Sequence, residues 1–435
     1  MSKLKELIDQ LCPDGVTFKS LGELGIFYGG LTGKSKEDFK GGNAKFITYM
    51  NIYVNPSLRI DVQDFVKVSD SEKQNRIKKG DILFTGSSET PNECGFTSVV
   101  TVDVDEPIYL NSFCFGLRLN NPELFNLDFL KHLLRSVELR NQISKTASGV
   151  TRFNVSKARL SKVTIPIPPI EIQTEIAEIL DRFADYAAEL QAELQARKEQ
   201  YEYYRNLLLT FNPFACGYGT DGEQEIKVTN TPPGSYNIIW KTMGEIGTFT
   251  RGNGLQKKDF TDTGVGCIHY GQIYTYYGTF ATETKSFVDN NLAGKLLHVF
   301  PGDIILACTS ENIEDVGKAV AWLGKDEIVT GGHSVVFKHK ENPKYIAYFL
   351  QSQLFFQQKK KYAYGAKVID IKTEDLAKIL IPIPPLELQE KIVSILDRFE
   401  TLVNDLAQGL PAEIAAVKER YEYYRNKLLT FPQIV

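Results

Sequence analysis

The sequence predicts an α+β chain: two α/β domains in a pseudo-twofold arrangement, joined by two long antiparallel helices that form a coiled coil. Three observations predict it. IPIPPIEIQTEIAEILDRF, from Ile165, returns as IPIPPLELQEKIVSILDRF from Ile381, 216 positions later. KEQYEYYRNLLLTF, ending at Phe211, returns as KERYEYYRNKLLTF, ending at Phe431. At 435 residues the chain is also too long for one ordinary core. The interval is far longer than the ~20–50 residues of a solenoid repeat, so the chain reads as two versions of one large unit.

The expected segments are 1–164 and 214–380 as α/β domains, each followed by a proline hinge and helix, 165–213 and 381–435. In the first domain, GDILFTGSSE from Gly80 reads as a strand-like run, and GELGIFYGG from Gly22 is a second anchor of the repeat. They recur as GEIGTFTRG from Gly244 and GDIILACTSE from Gly302, both at an offset of 222. Between such anchors the copies diverge: KFITYMNIYVNP has only a loose counterpart in CIHYGQIYTYYG. A shared skeleton with different surfaces suggests two readers on one frame.

The prolines of IPIPP fix φ and remove backbone donors, so the hinge is expected to be an extended strut leading into a helix. Apolar residues then recur at 172, 176, 179, 183, 186, 190 and 194, and at 201, 204 and 208. Steps of three and four mark a coiled-coil seam. The second copy runs 388, 392, 395, 399, 402, 406, 410, 414, 417, 421, 424, 428, with four residues more than the first. AELQAELQA, in the first copy, is a tetrapeptide written twice. A four-residue change adds about 6 Å and about 40° of net rotation, so the seam survives it. Pro411, just after Gly409, is where the second helix is expected to kink or break.

Composition narrows the class. With 43% hydrophobic and 24% charged residues the chain reads as globular, and its apolar runs fall short of the ~20 residues needed to span a bilayer. The start, MSKLKELIDQLCPDG, has no apolar signal-peptide core, so a cytoplasmic location is expected. Six scattered cysteines without a CxxC argue for reduced, buried thiols rather than zinc or disulfides. The net charge of −4 is uninformative, but its distribution is not. Residues 135–162 carry seven Lys or Arg against one acid, 171–210 are acidic, and 351–381 are basic again. A polyanion is drawn to the segment before each hinge and, in the first copy, repelled from the helix after it.

Enzyme signatures fail. GGLTGKS at 29–35 lacks the first glycine of a phosphate-binding loop, Tyr28 standing in its place, and the second copy reads RGNGLQKK. Its glycines fit close approach of the backbone to a ligand such as a DNA phosphate. NTPPGSY has the wrong order for an amino-methyltransferase motif, and the five histidines show no metal-ligand spacing. No catalytic, cofactor or metal residue is assigned.

Two divergent α/β domains, each closed by an IPIPP strut and a helix ending in YEYYRN(L/K)LLTF, resemble the specificity subunit of type I restriction-modification systems over essentially the whole chain. The resemblance implies a non-catalytic DNA-binding subunit whose two target recognition domains each read half of a bipartite site on double-stranded DNA. It implies helices that act as spacer and dock two modification subunits, which methylate adenine, with restriction subunits joining. S-adenosylmethionine, Mg and ATP are expected on those partners, none on this chain, and no membrane is involved. The alternative is a protein-assembly scaffold with protein-binding α/β domains.

Candidate DNA contacts follow from chemistry, since Lys and Arg suit phosphate or guanine and Asn suits adenine. In the first domain they are Lys34, Ser35 and Lys36 in the glycine loop, Ser87 and Ser88 after GDILF, and Lys145, Ser148, Thr151, Arg152 and Asn154 in the basic stretch. In the second they are Arg251, Asn253, Gln256, Lys257, Thr309, Ser310, Tyr364 and Lys367.

Overall fold

The computed structural model describes residues 2–211, 226–227, 237–405 and 408–434. The expected boundary at 213/214, Cys216 and the run NTPPGSY lie outside them, as does seam position 406. The chain divides into two compact units, one of Met1–Gln191 with Glu413–Val435, the other of Ala192–Ala412.

The first unit is built on an antiparallel sheet in the order Gly25–Gly29, Cys114–Leu119, Ile82–Thr85, Thr97–Val99. The second repeats that order with Gly247–Arg251, Ser334–His339, Ile304–Ala307 and Ala319–Trp322, and adds Phe280–Ala281 in parallel at the edge. The duplicated motifs have local causes. In both GEL(I)G runs the glutamate closes a capping box, Glu23 accepting from Ser20 and Glu245 from Thr242. The glycine that follows lets a neighbouring strand pass: a Cβ on Gly25 or Gly247 would lie 2.3 Å from the Arg118 or Lys338 carbonyl oxygen.

The proline hinges are strands of their domains. Thr164–Ile167 pairs antiparallel with Thr17–Ser20, and Leu380–Ile383 with Asn237–Thr242, placing Pro166 opposite Phe18 and Pro382 opposite Trp240. Proline is tolerated in such short pairings because one face of the strand makes no ladder bond. A buried glutamine then latches each hinge. Gln173 donates to the Pro168 (2.8 Å) and Leu124 (3.0 Å) carbonyls and accepts from Asn126 N (2.9 Å). Gln389 donates to the Pro384 carbonyl (2.8 Å) and accepts from Asn342 N (3.0 Å).

The first long helix is continuous over Ile170–Thr210, 41 residues and about 60 Å. The second is two helices, Leu386–Asn404 and Leu410–Leu428. The break falls where Gly409 precedes Pro411. Proline sits in the first turn of the restarted helix, where its missing N–H is no loss.

The seam serves two contacts at once. In the first unit Ile172, Ile176 and Leu180 face the domain core, while Phe183 stacks on Tyr424 at 5.4 Å and the Tyr186 hydroxyl reaches Glu413. Higher numbers on one helix meet lower numbers on the other, so the pair is antiparallel. In the second unit Tyr204 stacks on Phe399 at 5.5 Å. Phe183 and Phe399 are matched positions, as are Tyr204 and Tyr424. Each unit is thus completed by the helix tail belonging to the other copy.

Two asparagines of the repeated YEYYRN block seal the same exchange. Asn426 accepts from Val137 N (3.2 Å) and Asn206 from Gln353 N (2.8 Å), each at the start of a helix. Cys12, Cys94, Cys114, Cys267 and Cys308 are free and buried. No helix among the described residues is long and apolar enough to cross a membrane.

Candidate nucleic-acid interface

In the first unit a hairpin follows the basic stretch. Ala147–Ser148 pairs with Phe153–Val155, which pairs in turn with Ser87–Ser88. The turn depends on Gly149, at φ 155°, where a Cβ would lie 1.9 Å from the Arg152 carbonyl oxygen. Ser87, Ser88, Ser148, Thr151, Arg152 and Asn154 therefore come together, although more than fifty residues separate the first pair from the rest in sequence.

Beside this hairpin lies an open cleft of about 500 Å³, lined by Tyr49, Met50, Tyr53, Ser87, Ser88, Glu89, Glu93, Phe113, Thr151 and Arg152. The Arg152 guanidinium donates from Nε (3.1 Å) and Nη2 (2.9 Å) to Ser87 Oγ and lies 5.4 Å from the centre of the Phe113 ring. Tyr49 donates to the Ser87 carbonyl at 3.0 Å. The Glu93 carboxylate accepts from Thr90, Tyr53 and Ser88, and these bonds hold it below the usual carboxylate range. Ser148 accepts from Arg159 at 2.8 Å.

The second unit builds the same hairpin from different residues. Thr309–Ser310 pairs with Ile369–Asp370, and Gly365, at φ 121°, makes the turn. Asp370 stands where the first unit has Asn154, and Val368 where it has Arg152. The guanidinium comes instead from Arg251, on the strand Gly247–Arg251, where the first unit has Gly29. Arg251 grips Asp370 through Nη1 (3.2 Å) and Nη2 (2.7 Å). His333, at φ 68°, meets Thr309 Oγ1 at 2.9 Å. Tyr274 donates to the Thr309 carbonyl at 2.7 Å, as Tyr49 does to Ser87, but from one helical turn further on.

The other predicted positions are placed apart from these clusters or engaged locally. The Lys34 ammonium pairs with Glu72, and its side chain is 7% exposed. Ser35 donates to Asp38 from its amide and hydroxyl, and Lys36 is exposed. Lys145 is exposed at the end of its helix, as are Asn253, Lys257 and Lys367 in loops or short turns. Gln256 precedes the short turn Lys257–Asp259, its backbone amide donating to the Asp259 carboxylate at 2.8 Å. Ser310 is half-buried and Tyr364 is exposed, its backbone paired with that of Asp370.

Part of the basic charge faces inward. Arg135 donates to the Thr97 and Ile52 carbonyls, and Arg140 to those of Asn92, Cys94 and Gly95. Burial pushes both down to about 10, still charged at neutral pH. Lys359, buried and lowered to about 8, donates to the Glu314 and Val316 carbonyls. The glycine loop is also partly a packing device, since a Cβ on Gly30 would lie 2.1 Å from the Asn111 carbonyl oxygen. Tyr49, Tyr53, Phe113, Tyr274, His333 and Asp370 are not among the positions that the sequence predicts for the site. The two tyrosines spaced by four in both TYMNIYV and HYGQIYT were the available signal.

The sequence matches the type I restriction modification DNA specificity domain family over residues 13–200 and 238–416. A type I restriction enzyme specificity subunit by name, from Haemophilus influenzae, is 31% identical over 328 residues, 72% of this chain and 74% of that one. A type I restriction enzyme specificity subunit of Escherichia coli is 30% identical over 289 residues, 64% of this chain and 65% of the other. Among solved structures, a chain of a type I R-M system shares the fold at a TM-score of 0.59 and 18% identity, over 97% of this chain and 98% of that one. Two family matches, one for each copy of the hinge, helix and domain, show that this chain belongs to the type I restriction-modification DNA specificity family.

Proposed function

We propose that the chain reads an asymmetric, bipartite site on double-stranded DNA, one half through each α/β domain, 1–164 and 214–380. The helices of 165–213 and 381–435 set the spacer and dock two copies of a modification subunit, with restriction subunits joining that assembly in the cytoplasm. S-adenosylmethionine, Mg and ATP belong to those partners.

One observation carries the reading. Two units with the same sheet order, hinge latch and hairpin present different side chains at the same place: Arg152, Asn154 and Phe113 in one, Val368, Asp370, Arg251 and His333 in the other. A frame kept constant under varied side chains suits two readers of unlike sequences. The docking role is supported by the opposite pattern on the helices. Tyr203 and Tyr423 are matched positions, 63% and 58% exposed, within blocks that are nearly identical. Each ring rests against the next tyrosine, at 5.4 and 5.2 Å, but neither belongs to a core cluster, so a partner present in two copies accounts for their agreement.

The test is binding of the chain to duplex DNA across a salt series. Phosphate contacts predict affinity that falls linearly in log–log form, by orders of magnitude between about 50 and 200 mM salt, and a duplex carrying both half-sites bound better than one carrying either. A flat salt response with no sequence preference would instead favour the scaffold.

A further inference from the structure

We propose that Arg152 and Arg251 each read one guanine, in different half-sites, and that Ser87 and Asp370 hold them in reading geometry. The proposal rests on the DNA reading above. Neither arginine is a loose surface chain. Ser87 Oγ holds the Nε and Nη2 groups of Arg152, leaving Nη1 without a partner among the described residues. Asp370 holds the Nη1 and Nη2 groups of Arg251, leaving Nε in the same condition. Five N–H groups with one edge engaged leave another edge of two.

That free edge matches the paired acceptors O6 and N7 of guanine in the major groove. A phosphate contact does not require such buttressing, since a lysine can serve it as a point charge on a flexible stem. Fixing the guanidinium beforehand removes part of the side-chain entropy that reading a base costs. Ser87 is 5% exposed and Asp370's side chain 19%, so both supports are set in the fold rather than on mobile chains. The two forks also arrive from different strands, Arg152 from the hairpin turn and Arg251 from the sheet edge beside it. The guanine therefore falls at a different step of each half-site.

The experiment uses the full chain with the subunits that co-purify with it and a random-sequence duplex pool, sequencing the bound fraction. Arg152→Lys and Arg251→Lys keep the charge and lose the fork. Arg152→Lys is expected to reduce the preference for guanine at one position of one half-site by about 5- to 150-fold, with the other half-site unchanged. Arg251→Lys does the same in the other half-site, and Asp370→Ala repeats the Arg251→Lys loss at the same position. Lysine variants that keep the wild-type motif and lose only overall affinity would overturn this inference while leaving the DNA reading intact. A wild-type chain that enriches no motif would overturn both.

Discussion

Gln173 and Gln389 occupy matched positions, and both are fully buried amides bonded to backbone groups of their own domain. A hydrophobic seam pattern cannot announce them, since glutamine on a helix is ordinarily a surface residue. His339 belongs to the same scale. It pairs with Gly247 as Leu119 does with Gly25, so leucine fits that place in the other copy. Burial pushes His339 down to about 4, against a weaker pull from the Glu341 backbone. An unfolded imidazole titrates near 6.5, so the unfolded chain binds the proton first. Stability is therefore complete above about pH 6.5 and is lost as pH falls toward 4. His132 and His269 are lowered in the same direction, also by burial. The wild type should thus be less stable at pH 5 than at pH 7, and His339→Leu should remove on the order of 2 kcal/mol of that difference. Denaturant melts at the two pH values check it; identical pH dependence in both proteins would refute the assignment.

The hinge and the long helices were legible as elements because proline and heptad spacing act locally. What spacing did not reveal is that each hinge is a strand of its domain, a pairing set by residues some 150 positions away. The uninterrupted helix Ile170–Thr210 carries AELQAELQ in its middle, mostly exposed but for Leu190 and Leu194. Deleting one AELQ shortens the helix by about 6 Å and turns it by about 40°, against 3.4 Å and roughly 35° per base pair of DNA. The deletion is expected to shorten the tolerated spacer by about one base pair and to leave both half-sequences unchanged. Mapping methylated or bound sites decides the matter, and altered half-sequences at the old spacing would sink it. In the second copy the equivalent region is a break rather than a helix, so the same operation there has no such expectation.

At the scale of the whole molecule, the two copies are not two independent modules. Leu428 and Leu429 enter the core of the first unit, Leu209 and Phe211 that of the second, so each α/β domain is finished by the tail of the other copy's helix. This explains why KEQYEYYRNLLLTF is nearly duplicated: Tyr201 and Tyr421 pack inside, Asn206 and Asn426 cap helices, and only part of each block faces out. Tyr203 and Tyr423 face out. Alanine at either should leave thermal stability within about 0.5 kcal/mol of wild type and DNA binding intact, since neither fills a core. On the docking role proposed above, each change is expected to cost the assembly one of two modification subunits, read as a stoichiometry of one instead of two by native mass spectrometry. Two subunits retained in the double variant would remove these tyrosines from the docking surface.

The sequence by itself determined the duplication, the hinge, the helical seam and the family, because repeats and periodicity are written along the chain. It also pointed to the hairpin residues Ser87, Ser88, Thr151 and Arg152, whose chemistry and turn glycine are local. Only the tertiary structure decided which basic residues face outward, for Arg135, Arg140 and Lys359 look like surface charges until the carbonyls they bind are folded around them. It likewise decided that Tyr49 and Phe113 stand beside that hairpin, and that His333 and Asp370 meet Thr309 in the second unit's hairpin. Side-chain neighbours across a sheet are set by strand pairing over long separations, and no local pattern encodes which partner arrives.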